Sequence, residues 1–102
     1  MLKVSIIIPV YNASDSIRKM LDSILAQTLH EFEVLMIDDG STDESGRILD
    51  EYSAKDKRFK AFHKQNEGVA MARQLGVDNA KGEYCIHADA DDWMDSTMLE
   101  EL

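Results

Sequence analysis

Residues 87 to 93, HADADDW, place three aspartates, Asp89, Asp91 and Asp92, within four positions. Ionised carboxylates only accept hydrogen bonds, and as hard oxygen donors they suit charge neutralisation or proton transfer. This cluster directly follows EYCI, an apolar run with the composition of a buried strand, so mutually repelling charges arrive at the end of a core element. Two more polar clusters stand in the same relation to an apolar run. Tyr11 and Asn12 follow VSIIIPV, and Asp38, Asp39 and Gly40 close FEVLMIDDG. In open parallel sheets ligands sit in the crevice beyond the carboxyl ends of the strands, and that shared placement makes these residues candidates.

The elements that must position them follow from periodicity. VSIIIPV (4 to 10) is a nearly continuous β-branched run, the pattern of a strand covered on both faces. After the turn NASDS, Ile17, Met20, Leu21, Ile24 and Leu25 fall on one helical stripe. FEVLMID (32 to 38) predicts a second strand, and Ser41 with Glu44 predicts a capping box opening a helix in which Ile48, Leu49 and Tyr52 share a face. RFKAFHK (58 to 64) alternates, as a less buried third strand would. VAMARQLGVDNAKG predicts a third helix with Ala72, Leu75, Gly76 and Asn79 aligned and Gly82 as its stop. EYCIHA is a fourth strand, and a further helix is expected from Ser96. Strand and helix in strict alternation predict right-handed crossovers around a parallel sheet, an α/β fold with helices on both faces.

Composition narrows the function classes. The chain has 102 residues, 44% of them hydrophobic, enough for one domain with a single core. Its formal net charge is −9, from 20 acidic and 11 basic side chains, with no basic stripe, which argues against nucleic acid as partner. Cys85, the one cysteine, lies in an apolar run, is expected in the core, and fits a reducing compartment. The apolar start is too short for a transmembrane segment. Because the chain stops on the apolar pattern MLEEL, residues 1–102 are expected to be the front part of something longer.

SIIIPVYN at 5 to 12, EVLMIDDGSTDES at 33 to 45 and NEGVAMARQLGVDNAKGEYCIHADADDW at 66 to 93 resemble, in order and spacing, the successive blocks of the inverting nucleotide-sugar glycosyltransferases of family 2, which have the Rossmann-like GT-A fold. Two departures are Gln74, where the family commonly has Asn, and His87 with Ala88, where a large aliphatic residue usually precedes the acidic block. The resemblance implies transfer of a sugar from a nucleoside-diphosphate donor to a saccharide or lipid-linked acceptor. A cytoplasmic location is expected with it, any membrane association coming from parts outside residues 1–102.

What the resemblance implies for single residues can be weighed by charge. A carboxylate about 5 Å from a diphosphate charge costs roughly 3 kcal/mol at an effective dielectric near 20, so three aspartates need a cation to receive such a ligand. Mg²⁺ or Mn²⁺ is the implied cofactor, with the family's D-x-D pattern on Asp89, facing ribose or a donor hydroxyl, and Asp91, facing the metal, a role that Asp92 shares or takes over. Asp39 resembles the aspartate that accepts a hydrogen bond from the base, which suits the ring N–H of uracil and so a UDP-sugar; Asp38 is expected to brace the turn. Pro9 and Tyr11 resemble the edge of the base pocket. Arg73 resembles a cation near the nucleotide, with a surface salt bridge as the alternative. Trp93 either stacks on the sugar or seals its loop. His30, His63 and His87 lack metal-ligand spacing, and the six methionines are expected in the core. In the family the general base comes from a later acidic block, so no catalytic residue is expected before Leu102. Two other function classes stand beside the transferase: a binding-only nucleotide-sugar module, and a phosphoryl-transfer protein, which would place its key acids after the first strand.

Overall fold

The computed structural model describes residues 3–27 and 31–90; His30, Asp91, Asp92, Trp93 and the closing MLEEL lie outside them. Strands β1 (Val4–Val10), β2 (Phe32–Asp39), β3 (Phe59–Lys64) and β4 (Tyr84–His87) alternate with helices α1 (Ile17–Leu25), α2 (Ser45–Lys55) and α3 (Val69–Asn79). All ladders are parallel, as the alternation of strands and helices predicts, and the sheet order is β3-β2-β1-β4. The chain steps outward from β1 to β3 and then returns to the far side of β1. That reversal puts the topological switch point between the ends of β1 and β4, where Tyr11, Asn12 and Asp89 fall.

Period-two alternation divides the core. Val4, Ile6, Ile8 and Val10, with Val34 and Met36, face α1 and α2 through Ile17, Met20, Leu21, Ile24, Ile48, Leu49 and Tyr52. Ile7, Leu35 and Ile37 face α3 through Ala72. Gly76 lets that helix approach closely, because a Cβ there would lie 2.5 Å from Ile7 Cγ2. Pro9 costs β1 no bond to β4, since that ladder ends at Ile7↔His87. At the opposite end of the sheet the buried Glu33 accepts from Ser5 Oγ (2.6 Å), Lys60 Nζ (2.8 Å) and the Lys81 amide (2.6 Å), which fixes the entry to β4.

Four local expectations are corrected. The Ser41/Glu44 capping box does not form: α2 begins at Ser45, because Asp38 takes the Ser41 amide and Asp43 the Ser45 amide, both at 2.9 Å. Gly82 does not stop α3, which ends at Asn79; Gly82 instead passes β1 so closely that a Cβ would lie 2.8 Å from Ser5 Oγ. β4 is not buried, and Cys85 is exposed. This strand lies at the sheet edge, and α3 packs over β1 and β2 without covering it among the described residues. Met71 is half exposed on the outer face of α3 and Leu25 is partly exposed at the end of α1, whereas Met20 and Met36 are core residues as expected.

Candidate functional site

Asp38 and Asp39 close β2 and, one residue apart, point to opposite faces of the sheet. Each meets its register partner on β3, His63 and Lys64 respectively. Asp38 braces the turn as expected, accepting the Ser41 amide through Oδ1 and lying 3.0 Å from His63 Nδ1 through Oδ2. His63 reaches Asp50 with its other nitrogen at 2.8 Å, so both ring nitrogens face carboxylates. The hydrogen bonds to Asp38 and then Asp50 outweigh burial and hold the imidazole above its ordinary value.

Asp39 is 4% exposed and sits at the N-terminus of α3. Its Oδ1 accepts the Glu67 amide (2.9 Å) and Lys64 Nζ (3.2 Å), and its Oδ2 accepts the Gly68 amide (3.0 Å). Burial pushes this carboxyl upward, but the two amides and the ammonium overcome it and hold it below the usual carboxylate range. The approach requires glycines: Gly40, at φ 73°, would place a Cβ 2.6 Å from the Asn66 amide nitrogen, and Gly68 has φ 100°.

Above Asp39 opens a pocket of about 370 Å³ walled by Pro9, Val10, Tyr11, Asn66, Gly68 and Val69. Pro9, Tyr11 and Asp39 therefore share one cavity. Tyr11 is 53% exposed and stands between this pocket and a second of about 420 Å³ that Asn12, Ser16, Asp89 and Ala90 also line. The wall carrying Tyr11 is fixed from outside. The consecutive amides of Asn12, Ala13 and Ser14 donate to Ser41 Oγ (3.0 Å), Ser45 Oγ (2.9 Å) and Asp43 Oδ2 (3.1 Å). Burial raises the Asp43 carboxyl, but bonds from Ser45 and Ser14 bring it down to about 2.

Asp89 ends at the rim of the second pocket with its carboxylate exposed. Arg73, in the second turn of α3, lies 3.9 Å from it, beyond hydrogen-bond length. The Arg73 Nε is buried and has no partner among the described residues. No cluster of three or more metal-ligating side chains occurs among the described residues, and Asp91 and Asp92 fall outside them. Asp89 nevertheless fits an oxygen-liganded cation: it is a hard donor whose lone pairs no close ion pair occupies among the described residues.

Sequence reasoning missed Asn12 as a fastener, Lys64 as the partner of Asp39, and Asn66, Gly68 and Val69 as pocket wall. Strand register was the missing signal: once β2 and β3 are aligned in parallel, Asp39 and Lys64 stand side by side.

Comparison with known proteins agrees with this geometry. The family model described as "Glycosyl transferase family 2" matches residues 5–102. The glycosyltransferase GlyA of Streptococcus pneumoniae is 41% identical over 98% of the chain, which covers 14% of GlyA. TarS of S. aureus, solved in complex with UDP-GlcNAc, superposes with a TM-score of 0.92 at 32% identity, over 98% of this chain and 30% of that one. The mannosyltransferase PcManGT of Pyrobaculum calidifontis, solved with GDP-Man and Mn²⁺, gives 0.78 at 26% identity, over 89% of this chain and 28% of that one. The chain thus spans less than a third of each of these relatives. With parallel strands in order β3-β2-β1-β4, a pocket over Asp39 at their carboxyl ends, and a family match across nearly its whole length, the chain belongs to glycosyl transferase family 2.

Proposed function

We propose that residues 1–102 form the donor-binding part of a glycosyltransferase that moves a sugar from a UDP-sugar to an acceptor hydroxyl with inversion. The observation that carries this reading is the pocket over Asp39: a charged carboxylate at its floor, Pro9 and Tyr11 on one wall, and the N-terminus of α3 on the other. A flat heterocycle with one ring N–H matches that floor, and Tyr11 offers the base an aromatic face. From there the ribose and diphosphate lead past Tyr11 into the second pocket, toward Asp89 and the guanidinium of Arg73. In support, TarS was solved with UDP-GlcNAc.

Asp91 and Asp92 would hold Mg²⁺ or Mn²⁺ beside Asp89, and PcManGT was solved with Mn²⁺. Such a cation, when bound, neutralises charge on the departing diphosphate. This chain's own residues bind the base, orient the ribose and offer Arg73 to the phosphates. The carboxylate that deprotonates the acceptor is expected beyond residue 102.

Calorimetric titration with UDP, GDP and ADP in the presence of Mn²⁺ tests the base site. UDP is expected to bind tightest. Equal affinity for the three nucleotides would remove the base-reading role of Asp39.

A further inference from the structure

We propose that Lys64 is a specificity-determining residue, which excludes guanine from the Asp39 pocket by occupying one oxygen of the carboxylate that reads the base. The inference rests on the donor-site reading above and deepens it.

An ionised carboxylate has about four lone-pair positions. On Asp39 three are filled from within the protein: Oδ1 by Lys64 Nζ and the Glu67 amide, Oδ2 by the Gly68 amide. One position, on Oδ2, remains for a ligand. Lys64 cannot readily swing aside to free another. Its ammonium has three protons and three acceptors around it, Asp39 Oδ1, the Gln65 carbonyl at 2.8 Å and Glu67 Oε1 at 2.7 Å. The side chain is 13% exposed and parallel register holds its backbone beside Asp39.

That arrangement sorts bases by how many adjacent donors they bring. Uracil presents one ring N–H between two carbonyls and needs one acceptor position. Guanine presents a ring N–H and an exocyclic amino group side by side, a pair that matches a carboxylate only when both oxygens are open. In this pocket guanine's second donor would meet the Lys64 ammonium, donor against donor, a repulsive element directed at one competitor. Adenine turns a ring acceptor toward Asp39 and is disfavoured whatever residue stands at 64. The fold alone does not settle the choice, since PcManGT was solved with GDP-Man.

The test titrates UDP, GDP and ADP with Mn²⁺ into the full chain, as wild type and as Lys64→Met, Lys64→Ala and Lys64→Gln. Thermal melting identifies the folded variants, and either Met or Ala suffices as the variant that opens Oδ1. The UDP-over-GDP preference should narrow about tenfold in Met or Ala, the size of one charge-assisted hydrogen bond. The UDP-over-ADP preference should stay, and Gln, which still donates to Oδ1, should keep the wild-type preference for UDP over GDP. A wild type with no preference for UDP would overturn the base-reading role of Asp39 and this inference with it. A wild type that prefers UDP, with a GDP ratio unmoved by Met or Ala, would overturn the role of Lys64 alone. So would equal narrowing for GDP and ADP, or Gln behaving like Met.

Discussion

Asn12 and Thr42 are joined across 30 positions of sequence: the Asn12 side-chain oxygen accepts the Thr42 amide at 2.8 Å, and in return the Asn12 amide donates to Ser41 Oγ at 3.0 Å. The bond fastens the turn after β1, which carries Tyr11, to the loop after β2, which follows Asp39. One wall of the pocket over Asp39 and the loop that follows its floor thereby belong to one hydrogen-bonded unit. Asn12 also adopts φ 49°, a left-handed conformation that Asn tolerates better than most residues.

Asn12→Ala should therefore lose twice, through the bond to Thr42 and through the backbone, for a total of about 1–2 kcal/mol. Asn12→Gly should lose less, because glycine relieves the backbone part. Urea unfolding midpoints of the two variants check the order, and UDP affinity should weaken in both as Tyr11 loses its anchor. An alanine variant as stable as the glycine variant would show that the backbone conformation at 12 carries no cost.

The packing of α3 yields a second prediction. Gly76→Ala puts a methyl group 2.5 Å from Ile7 Cγ2, where the buried Ile7 on the central strand has nowhere to move. Overpacking of that kind costs about 1–3 kcal/mol, against a gain of up to about 1 kcal/mol in helix propensity. A net loss in guanidinium unfolding is the expected outcome. Because α3 also carries Arg73 and begins directly after Gly68, the same variant should bind UDP less tightly. A more stable Gly76→Ala would mean that propensity outweighs the contact.

The alternation of strands and helices was legible because each element carries its own period; Tyr11 and Asp39 were candidates because they stand at the ends of apolar strands, and Pro9 only through the family resemblance. The sequence could not announce which strand lies at an edge. EYCI has the composition of a covered strand, yet among the described residues β4 stands at the sheet edge outside the reach of α3, because the order of strands is a long-range property. The capping box failed for a similar reason. Ser41 has a local partner at Glu44, but Asp38 captures its amide and the Asn12 amide occupies its hydroxyl. Lys64 was invisible until register paired it with Asp39, although the two are 25 positions apart.

His63, between Asp38 and Asp50, should make stability depend on pH. Its pKa is raised in the folded protein, so its contribution is fully present below the unfolded value of about 6.5 and is lost as pH rises through the folded value. The ring is 44% exposed, and solvent screening limits the effect to roughly 0.5–1 kcal/mol. Thermal midpoints should fall as pH rises above about 6.5 in wild type and less so in His63→Gln. Parallel pH profiles for the two proteins would show that the Asp38–His63–Asp50 chain contributes no net charge interaction.

The acidic block after β4 gives the last prediction. If Asp91 and Asp92 hold a divalent cation beside Asp89, nucleotide binding must weaken when the cation is removed, because the repulsion between these carboxylates and the diphosphate is then no longer offset by the metal. Linkage requires the coupling to run both ways: UDP should raise Mn²⁺ affinity by the factor by which Mn²⁺ raises UDP affinity. Asp91→Asn removes one charge at nearly constant shape, so melting should be unchanged. UDP binding in Mn²⁺ should weaken by an amount on the order of 2 kcal/mol, the scale of a lost charge-assisted contact. In chelator the sign should reverse, since a neutral side chain repels the diphosphate less than an aspartate does. Titrating UDP into both proteins, with Mn²⁺ and with chelator, separates the metal platform from a merely solvated loop. UDP affinity that ignores the cation in both proteins would show that these carboxylates do not take part in donor binding.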